Sequence, residues 1–301
     1  MRLAFTKMNG LGNDFVMIED LDSTLDIAPE AVQWFCDRRF GVGADGLILI
    51  RPAVSPSADY YMHYVNADGS LAEMCGNGAR CFAKYVVDHA LVPAEASELV
   101  METLGGLKPV SFTRAPDGSL AEATVDMGSP QFSPGMIPST FDGERVHGRV
   151  VPTPWGDVAI TALSIGNPHA VLMVEDVDTA AVETIGPFLE RHERFPNGTN
   201  VEFVQVIDAE TVRVRVWERG VGETLACGTG ACAAAVAGAL YGRTGRAVTV
   251  ELPGGDLEIE WREDDRVYMT GSAAVSFTGS VELAEDDCFE DAGHDCCADE
   301  A

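Results

Sequence analysis

The sequence predicts an α+β protein of two pseudo-symmetric lobes, each with a curled, mainly antiparallel or mixed sheet around a central helix. The first observation behind this prediction is a repeated segment, Cys75-Gly76-Asn77-Gly78-Ala79 and Cys227-Gly228-Thr229-Gly230-Ala231. The second is that strand-like and helix-like patterns surround both copies. The two cysteines are 152 residues apart, a spacing that indicates duplication of a whole lobe and not a short solenoid repeat.

Local patterns place the elements of each lobe. A short helix is expected at 31–39, because Pro29 suits a first helical turn. The small and apolar residues that follow Cys75 and Cys227 predict one buried central helix per lobe. Apolar or alternating runs predict strands at 47–50, 201–206 and 212–217.

Composition limits the class of partner. The 301 residues carry 48 acids and 20 bases, a net charge of −28, which would repel nucleic acid and anionic membranes. The acids are spread along the chain, so we expect a solvated acidic surface that depends on high salt. No apolar run approaches the ~18 residues that span a bilayer, and residues 1–7 lack a signal-peptide core. We therefore expect a cytoplasmic enzyme whose eight cysteines are free thiols.

The tail at 285–301 is strongly acidic and is predicted to be disordered. A metal site there is the less favoured alternative, and its ligands would be Cys288, His294, Cys296 and Cys297. We predict no other metal site.

The repeated cysteines are candidate reactive thiols. A cysteine at the start of a helix, followed by glycines that expose backbone N–H groups, places a thiolate beside an anion site. The alternative is a buried small hydrophobic residue, which suits Cys36, Cys81 and Cys232. It does not explain why the glycines occur twice in the same places.

Other motifs are weaker taken singly. Residues 41–46 match the dinucleotide pattern G-x-G-x-x-G, but a helix precedes them and a strand follows, the reverse of what cofactor binding needs. The pair Glu218-Arg219 could equally be a salt bridge on the surface and not part of a site. His169 could equally have a structural role. Turn residues that together could line a cleft are Asn13, Asn66, Asn167 and Asn200.

Two thiols facing one amino acid can invert its stereocentre. One thiolate removes the α-proton from one face, and the other thiol delivers a proton to the opposite face. Helix N-terminal N–H groups at Gly76-Asn77 and Gly228-Thr229 could stabilise the charge that develops on the substrate carboxylate. No cofactor is needed for this chemistry.

Taken in order, these motifs resemble the diaminopimelate epimerase family over essentially all of residues 1–283. The segments that carry the resemblance are Lys7 to Phe15, Asn66 to Ser70, Met74 to Cys81, Gly166 to His169, Asn200, and Glu218 through Ala231. The resemblance implies a cofactor-independent, two-base epimerase that interconverts LL- and meso-diaminopimelate in lysine biosynthesis. It also implies a homodimer that acts on a small diamino-dicarboxylate substrate.

The family pattern assigns roles to individual residues. It implies that Cys75 and Cys227 are the catalytic bases, assisted by His169 and Glu218. Residues implied to hold the substrate are Asn13, Asn66, Gly76, Asn77, Asn167, Asn200, Glu218, Arg219, Gly228 and Thr229.

Glycines and prolines that cluster near residues 127–135 predict the boundary between the lobes, which are expected at 1–128 and 129–271. The resemblance implies in addition a strand near 272–283 that returns to the first lobe. Two positions depart from the pattern, since Gly46 stands where some members have a substrate-contacting glutamine and Phe277 where some have a tyrosine at the dimer contact.

Three other functions stay open at this stage. They are a proline racemase-like isomerase, a thiol–disulfide redox protein, and a non-catalytic binding protein for a diamino acid.

Overall fold

The computed structural model describes residues 2–282 and contains two lobes of the same topology. The acidic tail and its Cys/His alternative metal site lie outside the described residues. The first lobe comprises β1 (Arg2–Gly10), β2 (Asn13–Glu19), α1 (Pro29–Cys36), β3 (Gly46–Pro52), β4 (Tyr60–Asn66), α2 (Gly76–Asp88), β5 (Glu98–Thr103), β6 (Gly106–Arg114) and β7 (Leu120–Gly128).

The second lobe begins with an additional strand and then repeats the plan of the first. Its elements are β8 (Val146–Thr153), β9 (Gly156–Ser164), β10 (Pro168–Met173), α3 (Val182–Glu190), β11 (Asn200–Val206), β12 (Thr211–Glu218), β13 (Gly222–Thr224), α4 (Gly228–Leu240), β14 (Ala247–Leu252), β15 (Gly255–Trp261) and β16 (Val267–Gly271). The last strand, β17 (Ala274–Glu282), pairs antiparallel with β1.

Strand pairing repeats between the lobes. In the first, β1–β2 is antiparallel, β2–β3 parallel, β3–β4 antiparallel and β4–β5 parallel. In the second, β9–β10, β10–β11, β11–β12 and β12–β14 follow the same sequence of directions. Each parallel pair is joined through a helix, as parallel connections require. The predicted fold of two sheet-and-helix lobes is therefore confirmed.

The two central helices are buried as predicted. In α4 nearly every residue is buried, and its alanines and glycines let the surrounding strands approach closely. In α2, a long buried run from Gly76 to Ala83 faces the core of the first lobe. Strands β7 and β16 pair antiparallel and join the two lobes. The boundary between residues 128 and 129 stays a prediction.

One helix differs from the prediction at its ends. The segment predicted at 31–39 is helical from Pro29 to Cys36 only. It stops because the Asp37 carboxylate accepts the backbone N–H groups of Arg39 at 2.7 Å and Phe40 at 2.8 Å. This side-chain turn replaces the helical hydrogen bonds. None of the helices in residues 2–282 has the length and apolarity to cross a membrane.

Candidate active site

The two repeated cysteines occupy the N-cap positions of α2 and α4. Cys75 Sγ accepts the backbone N–H of Gly78 at 3.4 Å. Cys227 Sγ lies 3.5 Å from Thr229 Oγ1. The geometry follows from local sequence, because an N-cap side chain is placed to accept N–H groups of the first turn. Both thiols are free, and each lies at the positive end of a helix dipole.

The first turns of α2 and α4 meet where the lobes join. The Asn77 amide donates to Asn13 Oδ1 at 3.1 Å and, across the lobes, to the carbonyl of Ala226 at 3.2 Å. Asn77 Oδ1 is buried and has no hydrogen-bond partner among the described residues. An acceptor left unpaired inside a protein calls for a partner. A substrate ammonium would supply one.

The glycine after each cysteine lies against the end of one methionine side chain. A Cβ on Gly76 would lie 2.9 Å from Met269 Cε, and one on Gly228 would lie 3.0 Å from Met269 Sδ. One methionine on β16 therefore packs beneath both helix starts. With no Cβ on these glycines, both helix starts fit against the same side chain.

Burial raises the pKa of the Cys75 thiol to about 11. The N–H groups of Gly78 and Asn77 and the charge of Arg80 act in the opposite direction, while Glu218 raises the pKa further. Arg80 is itself fully buried, and its guanidinium donates to the carbonyl of Ser272 at 3.1 Å. The thiolate of Cys75 thus has a buried cation and two backbone donors in its favour.

Cys227 has a more acidic environment. Burial raises its pKa well above the ordinary thiol value, and the carboxylates of Glu218 and Glu202 raise it further. Hydrogen bonds with Thr229 and Gly230 oppose these effects. The charges near the two sulfurs thus differ, since two carboxylates disfavour a thiolate at Cys227 whereas Arg80 favours one at Cys75.

Glu218 ends β12 close to Cys227. Its carboxylate accepts the Thr224 hydroxyl at 2.5 Å. Burial raises the pKa of Glu218, while hydrogen bonds with Thr224 and Cys227 lower it. A carboxylate with a raised pKa is a better proton acceptor, which suits a group beside a thiol that must gain and lose a proton.

A polar chain lies at the start of β10 and β11. His169 Nε2 lies 2.9 Å from Asn167 Oδ1, and His169 Nδ1 lies 2.7 Å from Glu202 Oε1. His169 and Glu202 are both fully buried. Burial raises the pKa of Glu202, and the imidazole of His169 lowers it.

Asn200 and Arg219 are joined in the same lobe. Asn200 Oδ1 accepts the backbone N–H of Arg219 at 2.9 Å, and the Asn200 amide donates to the carbonyl of Pro168 at 3.1 Å. The exposed Arg219 guanidinium donates to the carbonyl of Asn197 at 2.9 Å. Arg219 thus lies beside the other polar groups of this lobe with its charge accessible.

Asn13 links Cys75 to an ion-pair cluster in the first lobe. The Cys75 thiol lies 3.6 Å from Asn13 Oδ1, and the Asn13 amide donates to Asp45 at 2.7 Å. Asp45 and Asp14 both pair with Arg38 at 2.8 Å. Asn13 therefore has a fixed orientation, with its oxygen toward Cys75 and Asn77.

Two positions of the first lobe, Asn66 and Gly46, have fewer contacts with the other candidate site residues. Asn66 ends β4, and its amide donates to Ser70 at 3.0 Å within its own turn. Among residues 2–282 it makes no hydrogen bond to the other candidate residues. It does lie opposite Gly46, so it shares the sheet edge that also carries Asn13. A Cβ on Gly46 would lie 2.5 Å from Tyr64 Cε2, so Tyr64 fills the space into which a longer side chain would extend.

The sequence reasoning missed four residues of this site. The Arg80 guanidinium donates to the carbonyl of Gly76 at 3.5 Å, Glu202 faces His169, Met269 lies near the start of both central helices, and Asp45 accepts from Asn13. A charge inside an apolar or buried run was the available signal for Glu202 and Arg80. Met269 and Asp45 carry no signal in the sequence, because their partners lie on distant elements.

Comparison with known proteins identifies a family. The family model described as diaminopimelate epimerase matches residues 5–133 and 161–276. The chain is 50% identical over 283 residues to the diaminopimelate epimerase of Moorella thermoacetica, covering 93% of this chain and 99% of that protein. It is 48% identical over 290 residues to that of Alkalilimnicola ehrlichii, covering 94% and 100% respectively.

Solved structures share the fold at low identity. A hydroxyproline epimerase from Agrobacterium vitis superposes with a TM-score of 0.69 at 15% identity, covering 93% of this chain and 92% of that one. A probable proline racemase from Agrobacterium radiobacter gives a TM-score of 0.68 at 17% identity, covering 94% and 93%. These likenesses concern the two-lobed architecture.

Proposed function

The chain belongs to the diaminopimelate epimerase family, and on that premise we propose that Cys75 and Cys227 invert one α-carbon of diaminopimelate without a cofactor. The observation that carries this proposal is the pair of cysteines at the N-cap positions of α2 and α4, whose first turns meet at the lobe junction. As an epimerase of this family, the protein is an isomerase.

The proposed reaction transfers two protons. The Cys75 thiolate takes the α-proton, so the Cα–H bond breaks and an S–H bond forms. The electron pair is delocalised into the α-carboxylate. The Cys227 thiol then gives its proton to the opposite face of Cα, and the configuration is inverted. The reverse direction exchanges the roles of the two sulfurs.

The starting protonation states follow from the electrostatics. Arg80 and two backbone N–H groups favour the Cys75 thiolate, whereas Glu218 and Glu202 oppose a thiolate at Cys227. We therefore assign the more readily formed thiolate to Cys75 and the thiol to Cys227. Glu218, with its raised pKa, is placed to accept the Cys227 proton when the two sulfurs exchange roles.

The proposed carboxylate site lies between the helix starts. The N–H groups of Gly76, Asn77, Gly228 and Thr229 belong to the first turns of α2 and α4, where helical N–H groups have no partner within the helix. Donors aimed at the carboxylate become stronger contacts as charge develops there in the transition state. In a closed cleft this contribution grows, because less water screens it.

The distal amino-acid group of the substrate needs its own polar contacts. We assign its binding to asparagine side chains from both lobes and to the accessible charge of Arg219. A guanidinium can bind a carboxylate through two parallel hydrogen bonds, and amide oxygens can accept from an ammonium. The residues in this assignment are Asn13, Asn66, Asn167, Asn200 and Arg219.

A homodimer, a cytoplasmic location and a salt-dependent acidic surface belong to the proposal. On β17, Val275 and Phe277 are 45% and 48% exposed, and β1 is the strand that pairs with β17 among the described residues. An open edge with apolar side chains supports contact with a second copy.

The requirement for two reduced thiols supports a reducing compartment, and the net charge of −28 supports a need for salt.

Exchange of substrate hydrogen in D₂O tests the reaction. The protein is incubated with LL-diaminopimelate, a reductant and a series of salt concentrations, and α-deuteration and epimerisation are followed by NMR and chiral chromatography. We expect both to appear together. Binding without exchange would indicate a binding protein, and thiol–disulfide activity without exchange would indicate a redox protein. Either result would overturn the proposal.

A further inference from the structure

A buried carboxylate and a buried imidazole lie in the second lobe where the first lobe has apolar side chains. His169 pairs with Asn200, the first residue of β11, and Glu202 follows two residues later. At the equivalent register of the first lobe, Phe15 pairs with Gly46, the first residue of β3, and Ile48 follows two residues later. An apolar pair is thus sufficient to pack this position of the fold.

The charged pair is costly to keep. Glu202 and His169 are both fully buried, and Glu202 Oε2 has no hydrogen-bond partner among the described residues. Burying such groups costs free energy that an apolar pair of similar volume avoids. Packing therefore gives no reason for Glu202, whereas a role in holding a functional group does.

Hydrogen-bond donors and acceptors fix the protonation of the imidazole. Nδ1 faces the carboxyl oxygen of Glu202 at 2.7 Å, and Nε2 faces Asn167 Oδ1 at 2.9 Å. The amide oxygen accepts only, so Nε2 carries a hydrogen. A second proton lies between Glu202 and Nδ1, on one or the other of them. With an apolar residue at position 202, Nδ1 would lose this partner and the ring would be free to take the other tautomer.

From this chain of contacts we infer that Glu202 is a positioning residue, which acts through His169 to hold Asn167 with its amide N–H groups free for a substrate carboxylate. The Asn167 oxygen is occupied by His169, and no described residue accepts from the Asn167 amide nitrogen. If Asn167 rotated by half a turn, it would present an acceptor in place of two donors. This inference rests on the proposed function, because it assigns Asn167 to the substrate.

The test compares Glu202→Met, which has no donor for Nδ1, with the double variant Glu202→Ile/His169→Phe, which copies the apolar pair of the first lobe. Asp20→Asn is the matched control, because Asp20 is a buried carboxylate paired with Arg51 at 2.7 Å at the far end of β2. We measure kcat and KM for LL-diaminopimelate, thermal unfolding, and the ¹⁵N NMR signals of His169 in the unliganded protein.

We expect Glu202→Met to raise KM about ten- to hundredfold, as for loss of a hydrogen bond to a charged group, with kcat changed little, and the double variant to raise KM at least as much. We expect wild-type Nε2 to give a protonated, pyrrole-type signal that shifts toward the pyridine type in Glu202→Met. The double variant should remain folded, and Asp20→Asn should lower the melting temperature without raising KM.

Two results would overturn the inference. One is a fall in kcat with unchanged KM, which would assign the pair to the proton of Cys227. The other is a pyridine-type Nε2 in the wild type, which would turn the Asn167 amide toward the ring. Failure of the proposed function is distinct, since the wild type would then show no epimerisation while the NMR result would still stand.

Discussion

The strand positions next to the two catalytic helix starts have the same backbone arrangement, but their side chains are apolar in the first lobe and charged in the second. A Cβ on Gly78, in the first turn of α2, would meet Ile48 Cδ1 at 3.1 Å and Phe15 Cζ at 3.6 Å. A Cβ on Gly230, in the first turn of α4, would meet Glu202 Oε1 at 2.9 Å and Cys227 Sγ at 3.3 Å. Both glycines allow a helix start to lie on a strand. The side chains next to Gly78 are apolar, so the groups that act on Cys75 are backbone N–H donors and a buried cation. The side chain next to Gly230 is a carboxyl group, so Cys227 has carboxyl groups around it.

This difference suits an enzyme whose two thiols must be in different protonation states. Two lobes with identical surroundings would hold both sulfurs as thiols or both as thiolates to the same extent. Divergence of a few side chains on a duplicated backbone separates the two pKa values while keeping the sulfurs in equivalent places.

The largest expected effect is loss of either sulfur. Cys75→Ala and Cys227→Ala should each lower kcat by about a thousandfold or more, because each removes one of the two proton-transfer groups. Steady-state epimerisation measures this. Cys81→Ala and Cys232→Ala are matched controls, since these cysteines are buried in the same two helices. If a control variant lost as much activity as Cys75→Ala, the assignment of the bases would be wrong.

A smaller effect is expected from adding one methyl group beneath each helix start. Gly230→Ala should lower kcat/KM by about ten- to hundredfold, because the new Cβ displaces Glu202 and the catalytic sulfur together. Gly78→Ala meets the flexible end of Ile48 and should cost clearly less. Parallel kinetics and melting curves of the two variants measure the difference. Equal losses of activity would show that the strand side chains next to Gly78 and next to Gly230 do not differ in function.

The smallest effect concerns the thiols of the unliganded protein. Alkylation requires the thiolate, and the pKa of Cys75 is raised to about 11. Its rate should therefore rise about tenfold per pH unit from pH 7 to pH 10, since the thiolate fraction grows with pH below the pKa. Cys227 should react more slowly because the carboxylates of Glu218 and Glu202 disfavour its thiolate. Peptide mass spectrometry after iodoacetamide pulses measures both rates.

Glu218→Gln sharpens the same comparison. Glu218 raises the pKa of both thiols, but it is the charged group that raises the pKa of Cys227 most and it lies within hydrogen-bond reach of Cys227. Its removal should therefore lower the pKa of Cys227 more than that of Cys75 and narrow the gap in alkylation rate. Thr249→Ala, which removes a hydroxyl hydrogen-bonded to Glu258 on the sheet of the same lobe, should leave the gap unchanged. Faster alkylation of Cys227 than of Cys75 in the wild type would contradict the assigned starting states.

Local features of the chain were predictable from the sequence. The glycines after Cys75 and Cys227 indicated helix starts, because capping and the first helical turn depend on adjacent residues. The run at 201–206 was predicted as a strand, and β11 spans Asn200–Val206. The end of α1 was wrong by three residues, since the side-chain turn at Asp37 competes with the last helical hydrogen bonds.

The sequence by itself determined the duplication, the helix starts and the set of polar residues, because these depend on spacing along the chain. Only the tertiary structure decided which partners those residues have. Glu202 would be expected to face solvent, yet β11 packs between α3 and α4 and places it against His169, 33 residues away. Met269 on β16 likewise reaches Gly76 and Gly228, the residues that follow the two cysteines. The chemistry of each thiol depends on burial and on such long-range neighbours, and these exist only once the lobes have folded together.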